Sequence, residues 1–447
     1  YGNEFTGFIG KLRLSRILKK KDFCGVILLQ NAFEAALIAS LAGIKERIGY
    51  DRDGREFLLT KSIPVPDNEK QIHQINYYLN LLSQTGIEVE YSEPYIYLSL
   101  DERLSGREIL KGLGRPILGI NPGATYGSAK RWFPERFSEI SNWFIKDTKG
   151  SVVIFAGKNE VDIAEEIDKN IPENKLLLAG RTSLRELISL ISECDVFVTN
   201  DSGPMHIAYA VRTPLVAIFG STDPALTGPA GSGNAVLTSG LSCSPCFDRT
   251  CKTNDMRCMY AITPDDVYHS IKRMLPDMPA VFFDRDGTLC RDAGYLRRYE
   301  DLHIFEDINY VKSLKEKGFK IIGVTNQSGV AKGIVDEEFV KEINNKFVRE
   351  YGFDDFYYCP HSPEEHCPCR KPEPEMLLRA RISHKVDFKR SYMVGDKETD
   401  MLLAKSVGAK GILVKTGEAR ESINADHIAE GLKEAVDFIM RDSSDRY

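Results

Sequence analysis

No stretch of about eighteen consecutive apolar residues occurs anywhere in the 447 residues, which excludes a helix able to cross a bilayer. The run from Gly25 to Ile44 is interrupted by Gln30, Asn31 and Glu34, so it is expected as an apolar strand followed by an amphipathic helix. Internal repeats and low-complexity tracts are absent, which argues against a solenoid or a disordered array. Positive charge is not in excess: the formal net charge is −6, against a general nucleic-acid binder. The one basic run, Lys11, Arg13, Arg16, Lys19, Lys20 and Lys21, is expected as a solvated helix face rather than a lipid-binding patch. A signal peptide is not visible, and the cysteines are clustered. Together these point to a reducing cytoplasm rather than a disulfide scaffold.

What is present is most distinctive at Ala280-Val281-Phe282-Phe283-Asp284-Arg285-Asp286-Gly287-Thr288. Two carboxylates stand two residues apart at the end of an apolar run, which reads as a buried parallel strand, and Gly287 permits a sharp turn. Asp284 and Asp286 should therefore face the crevice above a sheet, where α/β ligands bind. A second strand, Lys320 to Val324, runs into Thr325-Asn326-Gln327-Ser328-Gly329, whose hydroxyl, amides and turn can hold phosphate oxygens. Arg370-Lys371-Pro372 adds cations for a dianion, and Tyr392-Met393-Val394-Gly395-Asp396-Lys397-Glu398-Thr399-Asp400 brings a further carboxylate to a strand end. Asp284, Asp286 and Asp396 make a hard oxygen site for Mg²⁺. A single Asp-x-Asp is usually a solvated turn, and Asp51-Arg52-Asp53-Gly54 repeats the same letters without an apolar strand leading in, so it is expected as a loop.

Four motifs in this order resemble those of the haloacid dehalogenase-like phosphatases. The resemblance implies that Asp284 attacks phosphorus to give an aspartyl phosphate, while Asp286 protonates the departing oxygen and then activates water. Lys371 relieves the repulsion between a carboxylate and a phosphate dianion, with Thr325, Asn326, Arg370 and Lys397 as substrate contacts. Cys359-Pro360-His361 and Cys367-Pro368-Cys369 supply three thiols and an imidazole on one short loop, a closed structural set for Zn²⁺; unliganded thiols are the alternative, and His366 is expected as a bystander. The whole set resembles the D-glycero-D-manno-heptose 1,7-bisphosphate 7-phosphatases, with histidinol-phosphate phosphatases sharing much of the pattern. In that family the zinc loop stands in place of a large cap domain.

The length suggests about three domains, of which the phosphatase is one. Upstream, the strand-like runs Ile117 to Asn121, Val152 to Ala156, Lys175 to Leu178, Val196 to Asn200 and Leu215 to Phe219 alternate with helical stretches, the rhythm of a parallel doubly wound sheet. Two strand ends carry turns suited to phosphate, Asn121 to Trp132 and Asn200-Asp201-Ser202-Gly203-Pro204-Met205-His206. Pro204 fits the first turn of a helix, whose free N–H groups would face an anion, and Lys130 can supply counter-charge; an ordinary helix N-cap is the plainer reading.

Asn-Pro-Gly-Ala, Ala-Lys-Arg-Trp, Asp-Ser-Gly-Pro-Met-His-Ile-Ala and Phe219-Gly220-Ser221-Thr222-Asp223-Pro224, with Leu41 to Ile44 and Arg47 to Tyr50, resemble the type II ADP-heptose:lipopolysaccharide heptosyltransferases, inverting enzymes of the GT-B fold. By that resemblance Lys130, Asp201, Ser202, Gly203 and His206 hold the diphosphate and heptose of ADP-heptose, and Glu160 the ribose. Arg131 is either a second anion contact or a surface charge. The acceptor would be the lipopolysaccharide inner core at the membrane surface, with the protein cytoplasmic and peripheral at the inner membrane. The family's first strand, with the Gly-Asp element that carries its catalytic base, has no counterpart before Tyr1; either this is a fragment of a longer protein or the transferase half has lost its base, and donor binding is expected ahead of transfer.

The fold expected is therefore α/β: a GT-B-type pair of Rossmann-like domains, the first incomplete, followed by a haloacid dehalogenase-like Rossmannoid domain with a zinc loop. The divisions are residues 1–110, 111–277 and 278–447, with a linker at Pro276-Asp277-Met278-Pro279. Cys243, Cys246, Cys251 and Cys258 are expected as free thiols, with zinc or an iron–sulfur cluster as the alternative; Cys24, Cys194 and Cys290 are expected as small buried hydrophobes. The tail Arg441 to Tyr447 is expected to fray. The function expected is bifunctional: hydrolysis of the 7-phosphate of heptose bisphosphate, and heptosyl transfer from ADP-heptose. A phosphatase carrying a non-catalytic nucleotide-sugar scaffold and a histidinol-phosphate phosphatase are the alternatives.

Overall fold

Fifteen strands, every pairing between them parallel, form three sheets in a computed structural model that describes residues 5–444. The chain divides into two compact units: residues up to Glu93 with Asp223–Gly228, and Pro94–Thr222 with Pro229 onward. The expectation about the start of the chain falls at Tyr1, outside the described residues. No helix among the described residues is long and apolar enough to cross a membrane.

The first unit holds β1 (Gly25–Leu28), β2 (Glu46–Tyr50) and β3 (Lys61–Ile63) in that order. Helix Phe33–Leu41 follows β1, the strand-then-helix pattern expected from the interrupted apolar run. Lys11, Arg13, Arg16 and Lys19 of the basic run lie on helix Gly7–Lys19 and Lys20 and Lys21 follow it, with Arg13, Arg16 and Lys19 exposed and Lys11 paired with Glu34. Asp51 to Gly54 is a loop in which Asp53 takes φ +56°. A strand does enter it, however, because β2 ends at Tyr50; its mixed Glu-Arg-Ile-Gly-Tyr composition hid it.

In the second unit, one six-stranded sheet has the order β6-β5-β4-β7-β8-β9, built from β4 (Ile117–Asn121), β5 (Ser151–Ile154), β6 (Lys175–Leu177), β7 (Val196–Asn200), β8 (Leu215–Ile218) and β9 (Asn234–Leu237). Helices cover both faces, so β4, β5, β7 and β8 are buried along their whole length, and such strands read as continuous apolar runs. Edge strand β9 alternates in burial and is the one element of this sheet absent from the expected set. Strand order reverses between β4 and β7, and a crevice opens beyond the carboxyl ends of strands at such a point.

The second six-stranded sheet repeats the plan with β10 (Ala280–Phe283), β11 (Lys320–Asn326), β12 (Asp355–Cys359), β13 (Tyr392–Gly395), β14 (Lys410–Val414) and β15 (His427–Ala429), ordered β12-β11-β10-β13-β14-β15. Its switch point lies between β10 and β13, the strands that run directly into Asp284 and Asp396. Apolar clusters pack on each face, one around Val281, Phe283, Phe347 and Ile412, the other around Phe282, Met376, Leu403 and Met393. The linker joins this body, since the Asp277 and Met278 amides both donate to the Lys385 carbonyl. Helix Leu100–Ile109 also belongs to the second unit and packs closely on helix Leu184–Ser192, where the Ser189 hydroxyl donates to the Glu102 carbonyl.

Two expectations are corrected. Cys24 is exposed rather than buried, whereas Cys194 and Cys290 are buried as expected. Residues 441–444 do not fray but complete helix Leu432–Ser444, whose apolar side packs through Ala435, Val436 and Ile439; residues 445–447 lie outside the described residues.

The first crevice depends on Trp132. Its ring is 1% exposed, its indole N–H donates to the Ile262 carbonyl at 3.0 Å, and its backbone N–H donates to Asn200 Oδ1 at 3.0 Å. Trp132→Ala is expected to cost about 3–5 kcal/mol, measured as a lowered midpoint in circular-dichroism unfolding.

Candidate functional site

Strand β10 delivers Asp284 into the switch point of the last sheet, where the Asp284 backbone N–H donates to the Val394 carbonyl of β13 at 2.9 Å. The next turn needs Gly287: it has φ +92°, and a Cβ there would come within 2.4 Å of Asp396 Oδ2. Asp396, at the end of β13, accepts the Glu418 N–H at 2.9 Å through Oδ2. Its Oδ1 is buried without a hydrogen-bond partner among the described residues.

Asp284, Asp396 and Asp400 are buried and each places a carboxylate oxygen within 4.8 Å of the others. Burial pushes the Asp284 carboxyl well above its ordinary range; the Lys371 charge opposes that, and the neighbouring Asp400, Asp396 and Asp286 add to it. Asp396 is raised in the same way, chiefly by burial. A hard divalent cation would relieve this crowding and satisfy the orphaned Asp396 oxygen, so the donor set fits a metal ion.

The third carboxylate in that group is Asp400, not Asp286. The Asp286 carboxylate is turned to other partners: Arg285 Nη2 at 2.9 Å, Gln327 Nε2 at 2.7 Å and Thr325 Oγ1 at 3.4 Å. Burial works against its charge, yet Arg285 and the Gln327 hydrogen bond outweigh burial and hold it below the usual carboxylate range. Arg285 is itself buried and donates to Asn344 Oδ1 at 3.0 Å. Neither Asp400 nor Arg285 was assigned a role from sequence. Both lie inside the quoted motifs, but their tasks follow from side-chain direction, which spacing does not give.

Lys371 joins these groups. Its Nζ lies 2.7 Å from Asp284 Oδ1 and 2.7 Å from Asp400 Oδ1, and donates to the Val324 carbonyl at 3.2 Å. Burial disfavours its charge, but the two carboxylates keep it protonated. Asn326 fixes the backbone of this residue from both sides, accepting the Lys371 N–H at 3.0 Å and donating to the Lys371 carbonyl at 3.3 Å.

A cavity of about 360 Å³ opens above these groups, lined by Asp284, Asp286, Asp292, Thr325, Asn326, Gln327, Arg370, Lys371 and Lys397 among others. Lys397 crosses it to Asp292 at 3.2 Å; burial works against its charge, while Asp396, Asp292 and Asp284 raise its pKa. Every residue expected to touch substrate phosphate thus lines one cavity.

Beside the cavity, Cys359, His361, Cys367 and Cys369 bring their ligand atoms within 4.8 Å of one another. His361 Nδ1 lies 3.7 Å from Cys359 Sγ and 3.4 Å from Cys369 Sγ. For Zn–S bonds of about 2.3 Å, a tetrahedral edge is roughly 3.7 Å, so the group is close to the size of a closed zinc site. The Cys369 thiol bonds the Cys359 sulfur and holds its pKa down to about 6, while Cys369 is raised in turn. A thiolate is the form that ligates metal. Arg370 follows directly and donates to the His361 carbonyl at 3.3 Å. His366 stands outside the group. Among the described residues, no three of Cys243, Cys246, Cys251 and Cys258 approach within ligand distance.

The other crevice is built by amides. Asn121, ending β4, donates to Thr199 Oγ1 and Ser202 Oγ at 3.3 Å each, and Asn200, ending β7, donates to the Pro122 carbonyl at 2.7 Å. These bonds hold the two turns against each other beside a cavity of about 200 Å³, lined by Gly123, Thr125, Gly157, Lys158, Glu160, Thr182, Ser202 and Gly203 among others. Glu160 is buried and its Oε1 accepts the Ala124 N–H at 2.7 Å and Arg131 Nη2 at 3.1 Å, so Arg131 is engaged by Glu160. Lys130 pairs with Asp201, which also accepts the Thr222 hydroxyl at 2.6 Å. Lys130, Asp201 and His206 are not among the cavity's lining residues, and His206 is exposed on helix Gly203–Ala210.

Comparison with known proteins agrees with both halves. The model of glycosyltransferase family 9 (heptosyltransferase) matches residues 11–257, and a HAD-hydrolase-like model matches residues 368–435. Lipooligosaccharide heptosyltransferase 2 of Campylobacter jejuni is 31% identical over 278 residues, covering 61% of this chain and 81% of that protein. The solved structure of Escherichia coli ADP-heptose lps heptosyltransferase II shares 27% identity at a TM-score of 0.52, covering 59% of this chain and 80% of the other. D-glycero-beta-D-manno-heptose-1,7-bisphosphate 7-phosphatase of Helicobacter pylori is 36% identical over 176 residues, covering 37% of this chain and 99% of that protein. A GT-B-like heptosyltransferase part and a HAD-like phosphatase part are thus fused in one polypeptide, and the chain belongs to glycosyltransferase family 9 through its larger part and to the heptose-bisphosphate phosphatases through its last part.

Proposed function

We propose that this chain serves the heptose pathway of lipopolysaccharide assembly at two points, hydrolysing the 7-phosphate of D-glycero-β-D-manno-heptose 1,7-bisphosphate and binding ADP-heptose for transfer to the inner core. The observation that carries the first activity is the contact of Lys371 with Asp284, 2.7 Å apart in a buried cavity of phosphate-binding character. The names of the phosphatase relatives support the β anomer as substrate.

In this reading Arg370, Lys371, Lys397 and the Thr325–Asn326 turn hold the phosphoryl oxygens, so that positioning and charge neutralisation do most of the catalytic work. Asp284 attacks phosphorus through a carboxylate oxygen, and the phosphorus–oxygen bond to the sugar breaks. Asp286, steadied by Arg285 and Gln327, gives its proton to the departing sugar oxygen. It then takes a proton from the water that hydrolyses the aspartyl phosphate. The buried pocket raises Asp284 and lowers Asp286, so proton traffic at Asp286 needs the charge of the substrate phosphate to offset Arg285. Asp284, Asp396 and Asp400 are the side chains that would hold Mg²⁺, which supplies charge neutralisation for an oxyanion when bound. Zn²⁺ held by Cys359, His361, Cys367 and Cys369 would stiffen the loop that presents Arg370 and Lys371.

The donor half is read as residues 111–277 and the phosphatase as 278–447; the acceptor side, expected over residues 1–110, is read as ending by Glu93, because helix Leu100–Ile109 packs with the donor half. The positive end of helix Gly203–Ala210 suits the diphosphate, and Lys158 and Glu160 lie where a nucleoside would extend. Lys130 would reach the diphosphate by exchanging Asp201 for a phosphate oxygen. The activity belongs in the cytoplasm, with the transfer step at the inner-membrane surface.

Asp284→Asn is expected to lower phosphate release from heptose 1,7-bisphosphate by at least about a thousandfold, read by a coupled phosphate assay with Mg²⁺ present. A Cβ at Gly123 would sit 2.2 Å from Glu160 Oε2. Gly123→Ala is therefore expected to weaken ADP-heptose binding by about tenfold or more by calorimetry, with phosphatase turnover unchanged.

A further inference from the structure

We infer that Arg212, in the heptosyltransferase-like part of the chain, is a positioning residue for the phosphatase, acting through Glu375 on the cation Lys371. The inference rests on the phosphatase reading above. Arg212 stands just beyond helix Gly203–Ala210 and is 6% exposed, while Glu375, the first residue of helix Glu375–His384, is 2% exposed. Arg212 Nε and Nη2 reach the same oxygen, Glu375 Oε1, at 3.1 and 2.9 Å. Glu375 Oε2 is buried without a hydrogen-bond donor among the described residues, so the charge of Glu375 is met through Oε1, by Arg212 and by Arg379 at 3.1 Å. Removing Arg212 would leave the buried Glu375 with only the largely exposed Arg379 to meet its charge.

The same helix is held a second time, two turns on. Arg381 Nη2 donates to the Cys194 carbonyl at 3.2 Å and to Asp195 Oδ1 at 3.3 Å. Asp195 is pinned by Arg115 at 3.0 Å and by the Ile117 N–H at 2.7 Å, at the feet of β7 and β4. Helix Glu375–His384 is thus clamped near both ends by the family 9 part of the chain.

The clamp matters because Glu375 lies four residues after Lys371, with Pro372 and Pro374 between them. Proline fixes φ, leaving this connection few ways to absorb a shift of the helix. Lys371 must sit within 2.7 Å of two carboxylates at once, and misplacing a catalytic group by about 1 Å can cost on the order of a hundredfold in rate. The geometry therefore makes the last sheet's phosphatase dependent on a residue outside its own fold.

The test uses the full chain with Arg212→Met, measuring phosphate release from heptose 1,7-bisphosphate alongside thermal unfolding. The expected result is a fall in kcat of roughly ten- to a hundredfold with KM changed little, because Arg370 and Lys397 still hold the phosphate. Arg212→Met combined with Glu375→Leu, which removes both charges, is expected to recover most of the lost rate. An inert wild-type chain would defeat the phosphatase reading itself. An active wild type matched by an equally active Arg212→Met, or a loss that only tracks the fraction of unfolded chain, would overturn the positioning role. If Arg212→Met does not fold, Glu375→Gln replaces it, with hydrogen exchange read at the amides of Lys371, Glu373 and residues 375–378. Faster exchange with a lower kcat is expected there, and unchanged exchange and rate would overturn the inference.

Discussion

Three buried carboxylates, Asp284, Asp396 and Asp400, must share one small volume, and the single ammonium of Lys371 stands between two of them. Charge balance at that point is the constraint the phosphatase is built around. It explains why Asn326 spends both ends of its amide on the Lys371 backbone. It also explains why Asp286 is kept apart: a fourth carboxylate turned toward the same centre would deepen the repulsion, and Arg285, buried beside it, draws it away. Burial disfavours the charge of Asp284, and Arg285 favours that of Asp286; a nucleophile must be ionised and a general acid protonated, so the proposed roles require a bound cation beside Lys371 to restore the charge of Asp284 and the substrate phosphate to offset Arg285 at Asp286.

The two six-stranded sheets solve the problem of ligand placement alike and that of ligand chemistry differently. Each reverses strand order at its centre and opens a crevice there. In the last sheet the crevice is lined with charge, as a reaction on a phosphate dianion requires. In the other it is framed by amides and glycines, with Asn121 and Asn200 bonding the two turns, which suits a site that must hold a ligand without reacting at its phosphates. On the proposed reading, a phosphatase acting on a heptose bisphosphate and a module binding an activated heptose form a chemically coherent pair.

Much of this was legible in the sequence because the strands nearest the sites are buried on both faces. Strands β4, β7 and β10 show as unbroken apolar runs ending in Asn121, Asn200 and Phe283, where the sequence reading placed them. The metal-type loop was legible through ligand identity and spacing. The exchange of Asp286 for Asp400 was not, because both stand close to a strand end and only the direction of each side chain separates them. Arg285 was hidden in the same way: beside two aspartates it reads as a motif filler, yet it sets the charge state of one of them. Edge strand β9, half-buried and short, and the last helical turn at residues 441–444 depend on packing against distant segments, which local pattern does not report.

The dependence of specificity on the cavity lined by Asp284, Arg370 and Lys397 is most directly tested by comparing kcat/KM for heptose 1,7-bisphosphate and for histidinol phosphate on the same preparation of the chain. Selective turnover of the heptose bisphosphate, by at least about a hundredfold or 2.7 kcal/mol, is the expected result. Equal or preferred turnover of histidinol phosphate would contradict the account and leave the two halves without a shared sugar.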